Sequence, residues 1–151
     1  ALLNISRETP ITFYGHCPDF IEQSMYEFTH IHWTGSITGY YGSLSQRLNS
    51  VMVVPLLSNE FNRCKSNIAW IEGTFAGAAV LAPAFEEFAK VDGIMTYDTQ
   101  EVFELNALEM IKNTDFCKQM WQKSKDYINA NLLLSKINPL RLEIFENVIN
   151  L

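Results

Sequence analysis

The chain has 151 residues, of which 48% are hydrophobic and 19% charged, and its formal net charge is −6. This composition is typical of one soluble globular domain and excludes a disordered chain. The acidic charge argues against nucleic-acid binding, because contact with a phosphate backbone needs a basic face.

The cysteines and the apolar runs indicate the cellular environment of the protein. Cys17, Cys64 and Cys117 lie far apart and form no CxxC pair, which favours a reducing, cytoplasmic environment over a disulfide scaffold. Glycines, Pro83 and Glu72 interrupt the apolar run at 68–85, so we expect no transmembrane segment. We see no signal peptide, and because the chain opens on Ala1 rather than Met, we expect a fragment of a longer protein.

Strand-like and helix-like segments alternate along the chain. Short β-branched or apolar runs that stop at Gly or Pro predict strands, and apolar residues at helical spacing predict helices. The apolar run VMVVP at 51–55 is typical of a central parallel strand covered on both faces. The predicted elements, in chain order, are strands at Ile11–Tyr14 and 30–33, a helix at 38–48, a strand at 51–55, a helix at 65–76, strands at 78–82 and 93–97, and helices at Gln100–Lys112, 116–134 and 139–149.

This order predicts a single α/β domain with a parallel sheet, flanking helices and a helical C-terminal tail. Gly77 is the expected end of the helix at 65–76. Thr114-Asp115 and Asn138-Pro139 are the expected start signals of the last two helices. We expect the helix at 116–134 to pack its apolar stripe on a neighbouring domain.

The segment after the third strand carries the candidate chemistry. Ligands of parallel sheets bind where the carboxyl ends of the strands meet the following helices. Arg63 and Lys65 stand at the expected start of a helix, where cations oppose the helix dipole, and a bound anion such as phosphate would resolve that conflict. Asn62, Ser66 and Asn67 could cap the helix or contact the ligand.

Glu72 lies seven residues after Lys65, which returns to nearly the same helix face about 10 Å further along. A cation and a carboxylate so spaced would suit a nucleotide, with its anionic group and its ribose diol. The simpler interpretation is that Arg63 and Lys65 are solvated and that Glu72 pairs with a neighbour.

These residues also carry a family resemblance. PLLSNEFNRCKSNIAWIEGTFAGAAVLAP resembles the donor-binding segment of group 1 glycosyltransferases with the GT-B fold, which share its Pro-Leu, its FN…KS element, its glutamate and its Ala-Gly turn. TGSITGYYGSLSQRL resembles their glycine-bearing loop and helix, and NPLRLEIFENVI resembles the tails of bacterial and phage members. The resemblance covers residues 11–83 well and the rest loosely, and it implies a Rossmann-like, donor-binding C-terminal half.

The resemblance implies transfer of a sugar from a UDP- or GDP-type donor to a glycan or other acceptor. The acceptor would be held by an N-terminal domain that this chain does not contain, since it is too short for two Rossmann-like domains. No cofactor and no metal are implied. By position, Lys65 and Arg63 would neutralise the diphosphate and Ser66 would bind its oxygens, Glu72 would hold the ribose, and Thr34 and Gly35 would lie near the base.

One position departs from the family pattern, and other interpretations stay open. Many relatives have a sugar-contacting glutamate eight positions before the ribose-binding one, where this chain has Cys64. The alternatives are a non-catalytic module that binds a nucleotide or a partner, and a GT-B nucleotide-sugar epimerase. A nucleophilic Cys64 beside Lys65 and a metal site at His16, Cys17, His30 and His32 are weaker hypotheses.

Overall fold

The computed structural model describes residues 1–22, 28–32 and 35–149 of this mixed α/β protein. Trp33 and Thr34, with residues 23–27 and 150–151, lie outside the described residues. In chain order, the elements of the described part are α1 (Leu2–Ser6), β1 (Ile11–Tyr14), α2 (Asp19–Glu22), β2 (Phe28–Ile31), α3 (Ile37–Leu44), β3 (Val51–Val53), α4 (Glu60–Arg63), α5 (Ile68–Phe75), β4 (Ala79–Pro83), α6 (Glu86–Ala89), β5 (Ile94–Tyr97), α7 (Gln100–Lys112), α8 (Thr114–Asn131) and α9 (Leu134–Ile149).

The strands form two small parallel sheets. β1 pairs with β2, with Ile11 opposite Phe28, and β3, β4 and β5 form the second sheet in that order. The expected parallel α/β architecture and helical tail are therefore confirmed, although the strands divide between two sheets. Alternation of strands and helices predicts parallel pairing, but it does not specify which strand lies next to which.

The central strand is β4 rather than β3. All five residues of Ala79–Pro83 are buried, whereas Val51–Val53 is half-buried and lies at the edge of its sheet. The prediction of a central strand at 51–55 was wrong, because an apolar run of this length fits a half-covered edge as well as a centre. The small side chains of β4 allow helices to approach both faces of the sheet.

Successive residues of β4 supply two separate cores, since side chains alternate between the faces of a strand. Val80 and Ala82 pack with residues of α5, α6 and α8, including Trp70 and Phe88. Ala79 and Leu81 pack on the other face with residues of α1, α7 and α8. The sheet β3–β4–β5 is therefore covered by helices on both sides.

The helix α7 lies where the sequence predicted it, whereas the last helix begins earlier than predicted. α7 has the predicted bounds, and α8 begins at Thr114, with the Asn113 side chain accepting from the Phe116 amide. α9 begins at Leu134, because the amides of Lys136 and Ile137 both donate to the Leu133 carbonyl. Pro139 thus lies inside α9 instead of starting it, and leaves a helical carbonyl one turn earlier without its amide donor.

α8 belongs to the core of the chain itself. Met120, Ser124 and Ile128 are buried in it, and Trp121 donates from Nε1 to the Thr74 carbonyl, 2.8 Å away. The prediction that this helix packs on a neighbouring domain was wrong. Its apolar stripe covers strands β4 and β5. The sequence pattern indicates that the stripe is buried, but not whether this chain or a partner buries it.

Candidate functional site

Glu72 is the best-defined polar group on the outer side of α5. Its carboxylate accepts hydrogen bonds from two tyrosines of α3, Tyr40 at 3.2 Å on Oε2 and Tyr41 at 3.0 Å on Oε1. Glu72 is half-buried and Tyr41 is exposed. The two helices α3 and α5 are therefore joined by a carboxylate held between two phenols.

The tyrosines remain hydrogen-bond donors well above neutral pH. Burial, followed by the charge of Glu72 and its hydrogen bond, raises the pKa of Tyr40 to about 12. The hydrogen bond to Glu72 and the charge of that carboxylate raise the pKa of Tyr41 as well. Both phenols therefore stay protonated at neutral pH and donate hydrogen bonds to the Glu72 carboxylate.

The pKa of Tyr40 predicts a loss of stability in alkali. Below pH 10 the phenol is protonated in the folded and the unfolded chain, and its contribution to stability is complete. Between pH 10 and about 12 the unfolded chain loses this proton while the folded chain keeps it, so the free energy of unfolding falls as pH rises. Urea unfolding across this range should show a shallower fall for Tyr40→Phe than for the wild type, and equal slopes would contradict the assignment.

Arg63 lies at the carboxyl edge of the larger sheet. It is the last residue of α4, its Nη2 donates to the Ser58 hydroxyl at 2.9 Å, and its Cζ lies 5.6 Å from the centre of the Phe85 ring just after β4. A cation at a helix C-terminus is favoured by the helix dipole. The expected conflict between Arg63 and a helix start therefore does not arise.

Lys65 and Ser66 lie in the link between α4 and α5, and both are exposed. The Lys65 ammonium lies 5.0 Å from the centre of the Phe61 ring, a cation–π distance. Because α5 begins at Ile68, the prediction that Lys65 and Glu72 share one face of one helix was wrong. Serine and asparagine are weak formers of helix interiors, which favours a break at Ser66 and Asn67.

Asn62 and Asn67 hold loops in place. The Asn62 amide nitrogen Nδ2 donates to the Leu57 carbonyl at 2.9 Å, and its backbone N–H donates to the capping side chain of Asn59. Asn67 makes no side-chain cap of α5 and donates instead to the Glu87 carbonyl at 3.2 Å. These hydrogen bonds fix the chain on either side of Arg63 and Lys65.

Gly35 directly precedes α3, and Thr34 falls outside the described residues. Gly35 has φ +66°, the left-handed region that favours glycine, and a methyl group there would meet nothing within 4 Å. Ser36 then caps α3 by accepting from the Gly39 amide. The predicted glycine loop is thus open in front of the helix that carries Tyr40 and Tyr41.

The partners of the predicted residues were missed from the sequence. Phe61 and Lys65 are four residues apart, a spacing that could have indicated their contact. Phe85 follows a buried strand and could have been placed at the carboxyl edge by the same rule that placed Arg63. No local signal links Tyr40 and Tyr41 to Glu72, which lies about thirty residues later.

The histidines at the end of β2 have a local explanation. Since a carbonyl can only accept, His30 Nε2 donates to the Gly15 carbonyl at 2.8 Å, and its ring centre lies 4.0 Å from that of His32. Within residues 1–22, 28–32 and 35–149, no group of three or more His, Cys, Asp or Glu is arranged to hold a metal ion. In the same ranges, no helix combines the length and the apolar character needed to cross a membrane.

No family model, curated protein or solved structure matches this chain. The structure defines a mixed α/β protein with two small parallel sheets and a helical C-terminal tail.

Proposed function

We propose that the chain binds a nucleoside-diphosphate sugar and acts as the donor-binding part of a GT-B glycosyltransferase. The observation that carries the proposal is the carboxylate of Glu72, which two phenols of α3 hold by hydrogen bonds. Two exposed cations, Arg63 and Lys65, stand on the segment that leads into the same helix. Together they offer a carboxylate for a diol and positive charge for a diphosphate.

Glu72 has acceptor capacity left for a ribose. A carboxylate provides about four lone-pair sites, and the two tyrosines occupy two of them. The remaining two suit the 2′- and 3′-hydroxyls of one ribose, which both donate. Because Tyr40 and Tyr41 fix the carboxylate beforehand, less ordering is needed when the nucleotide binds.

Arg63 and Lys65 suit the charge of a diphosphate. Among the described residues neither cation forms an ion pair, and their known contacts are to aromatic rings and to one hydroxyl. The exposed Ser66 hydroxyl adds a small hydrogen-bonding group next to them.

In the transfer, the acceptor oxygen bonds to the anomeric carbon as the bond to the diphosphate breaks, and the proton of the acceptor hydroxyl passes to the departing diphosphate or to water. Positive groups placed beforehand would stabilise the charge on the departing diphosphate. Arg63 and Lys65 are the residues we assign to this role, and the acceptor would be held by a domain outside this chain.

Nucleotide titration tests the binding step. We expect UDP or GDP to bind in isothermal titration calorimetry, and the Arg63→Ala/Lys65→Ala variant to bind about tenfold more weakly or worse, since charge-assisted hydrogen bonds to phosphate are lost. Glu72→Gln should weaken the binding of UDP or GDP and leave the binding of inorganic diphosphate unchanged, because only the nucleoside diphosphate has a ribose.

The control is Lys118→Ala, which removes an exposed lysine paired with Asp115 on α8 and should bind like the wild type. Equal affinity of the double variant and of the control would contradict the proposal, as would no binding of either nucleotide. Donor turnover without an acceptor would instead assign the chain to an epimerase.

A further inference from the structure

The two tyrosines that contact Glu72 lie in different surroundings. Tyr40 is half-buried, and its ring packs edge-on against that of Tyr14 at the end of β1, with 6.3 Å between the ring centres. The Tyr14 hydroxyl in turn accepts a hydrogen bond from Nε of Arg47 at 3.2 Å. Tyr41 is 47% exposed. Tyr40 is therefore fixed by the protein around it, whereas the ring of Tyr41 lies at the surface.

The ring of Tyr41 is accessible to a flat ligand. Among the described residues, the ring next to it is that of Tyr40, with 5.3 Å between the centres and 54° between the planes. Gly42 follows it without a side chain, and a methyl group there would meet nothing within 4 Å. Ile37 and Ser45, one helical turn before and after Tyr41, are both exposed. None of these neighbours covers the ring.

The contact with Glu72 gives this exposed ring its place in the candidate site. A single exposed apolar group is ordinary on a protein surface, so exposure alone indicates no function. The Tyr41 hydroxyl, however, lies 3.0 Å from Oε1 of the carboxylate. A ribose on Glu72 would carry its base one sugar ring away from that carboxylate. The base and the Tyr41 ring would then extend from the same point.

We propose that the base of the bound nucleotide stacks on the ring of Tyr41. The inference rests on the proposed function, because a ribose held by Glu72 is what brings the base to this ring. Stacked aromatic rings have centres about 4.5–7 Å apart, and stacking uses the face that every base has. Tyr41 therefore accepts uracil and guanine alike, while Tyr40 positions the carboxylate.

The hydrogen bond of Tyr41 reduces the cost of this contact. The bond to Oε1 of Glu72 limits the rotation of the side chain before the nucleotide binds. Less conformational freedom is then lost on binding, so more of the stacking energy contributes to affinity.

Two substitutions separate the ring of Tyr41 from its hydroxyl. Tyr41→Phe keeps the ring and loses the hydrogen bond to Glu72, which Tyr40 still holds, whereas Tyr41→Leu loses both. In isothermal titration calorimetry with UDP and GDP, we expect Tyr41→Phe to bind within about threefold of the wild type and Tyr41→Leu about tenfold more weakly. Inorganic diphosphate has no base, and we expect it to bind equally to all three proteins.

Proton NMR of bound UDP detects the stacking directly. We expect the H5 and H6 protons of uracil to shift upfield with the wild type and with Tyr41→Phe, because they lie over an aromatic face. We expect no such shift with Tyr41→Leu. The matched control is Phe145→Leu, which removes an exposed ring of α9 and should bind UDP like the wild type, with circular dichroism confirming the fold of each variant.

The outcomes distinguish this inference from the proposed function. If Tyr41→Leu bound UDP like the wild type while Glu72→Gln bound it more weakly, stacking would be wrong and the nucleotide site would stand. Equal weakening by Tyr41→Phe and Tyr41→Leu, with unshifted uracil protons, would assign the effect to the hydrogen bond and also overturn stacking. Failure of the wild type to bind either nucleotide would overturn both proposals.

Discussion

Replacing Trp70 with alanine is expected to lower the free energy of unfolding by about 3–5 kcal/mol, the range for removing a large aromatic side chain from a core. Trp70 is fully buried, with 0% of its surface exposed. It packs in the core between α5, α6, α8 and β4, and its Nε1 donates to the Ser124 hydroxyl at 2.9 Å. Urea unfolding followed by circular dichroism measures the loss.

The matched control is Trp121→Ala on α8. Trp121 is only half-buried, although its Nε1 also makes a hydrogen bond, at 2.8 Å to the Thr74 carbonyl. We expect a smaller loss of about 1–2 kcal/mol, because less apolar surface returns to water. Equal losses for the two tryptophans would show that burial does not determine the contribution of Trp70.

Trp70 also supports the candidate site. At 100° per residue, Trp70 and Glu72 point to nearly opposite sides of α5. The indole anchors the helix in the core, while the carboxylate extends to Tyr40 and Tyr41 on α3. Loosening the inner side of α5 should therefore also weaken the position of Glu72.

Local signals were sufficient where one element determines its own boundaries. β1 and α7 have the predicted bounds, and Gly77 follows the end of α5 with φ +80°. In α7 the capping side chain of Thr99 and the apolar spacing agree, and both are properties of neighbouring residues.

Predictions that depended on other parts of the chain were less reliable. The division into two sheets and the edge position of β3 follow from pairing between distant strands. The break between α4 and α5 depends on the bonds of Asn62 and Asn67, one of which reaches Glu87. A helical wheel drawn over 65–76 does not contain that information.

The sequence named the residues of the candidate site but not their contacts. The sequence predicted that Arg63, Lys65 and Glu72 carry the polar chemistry. Glu72 is half-buried on α5, and Arg63 and Lys65 are exposed on the segment before it. The hydrogen bonds of Glu72 to α3 and the aromatic contacts of both cations were not predicted, because they join residues that only the fold brings together. Ligand binding by these residues stays a prediction.

Gly93→Ala is expected to be about as damaging as the loss of Trp70. Gly93 precedes β5 with φ +106°, where an L-residue costs roughly 1–2 kcal/mol. An added methyl group would lie 2.6 Å from the Ser124 backbone nitrogen, 2.7 Å from its hydroxyl and 3.0 Å from the Met120 carbonyl. Because two of these contacts are backbone atoms of α8, the helix must move, and we expect a total loss of about 3–5 kcal/mol.

Gly15→Ala separates the two causes of that loss. Gly15 also has a positive φ, +82°, but a methyl group there would meet nothing within 4 Å. We therefore expect only the backbone cost of about 1–2 kcal/mol in urea unfolding. If Gly93→Ala cost no more than Gly15→Ala, α8 would not pack against Gly93 as closely as the distances to Ser124 require. A larger loss at Gly93 would indicate that α8 packs closely against the start of β5. Ser124 contributes to this contact, because its hydroxyl donates to the Gly93 carbonyl and accepts from Trp70 of α5.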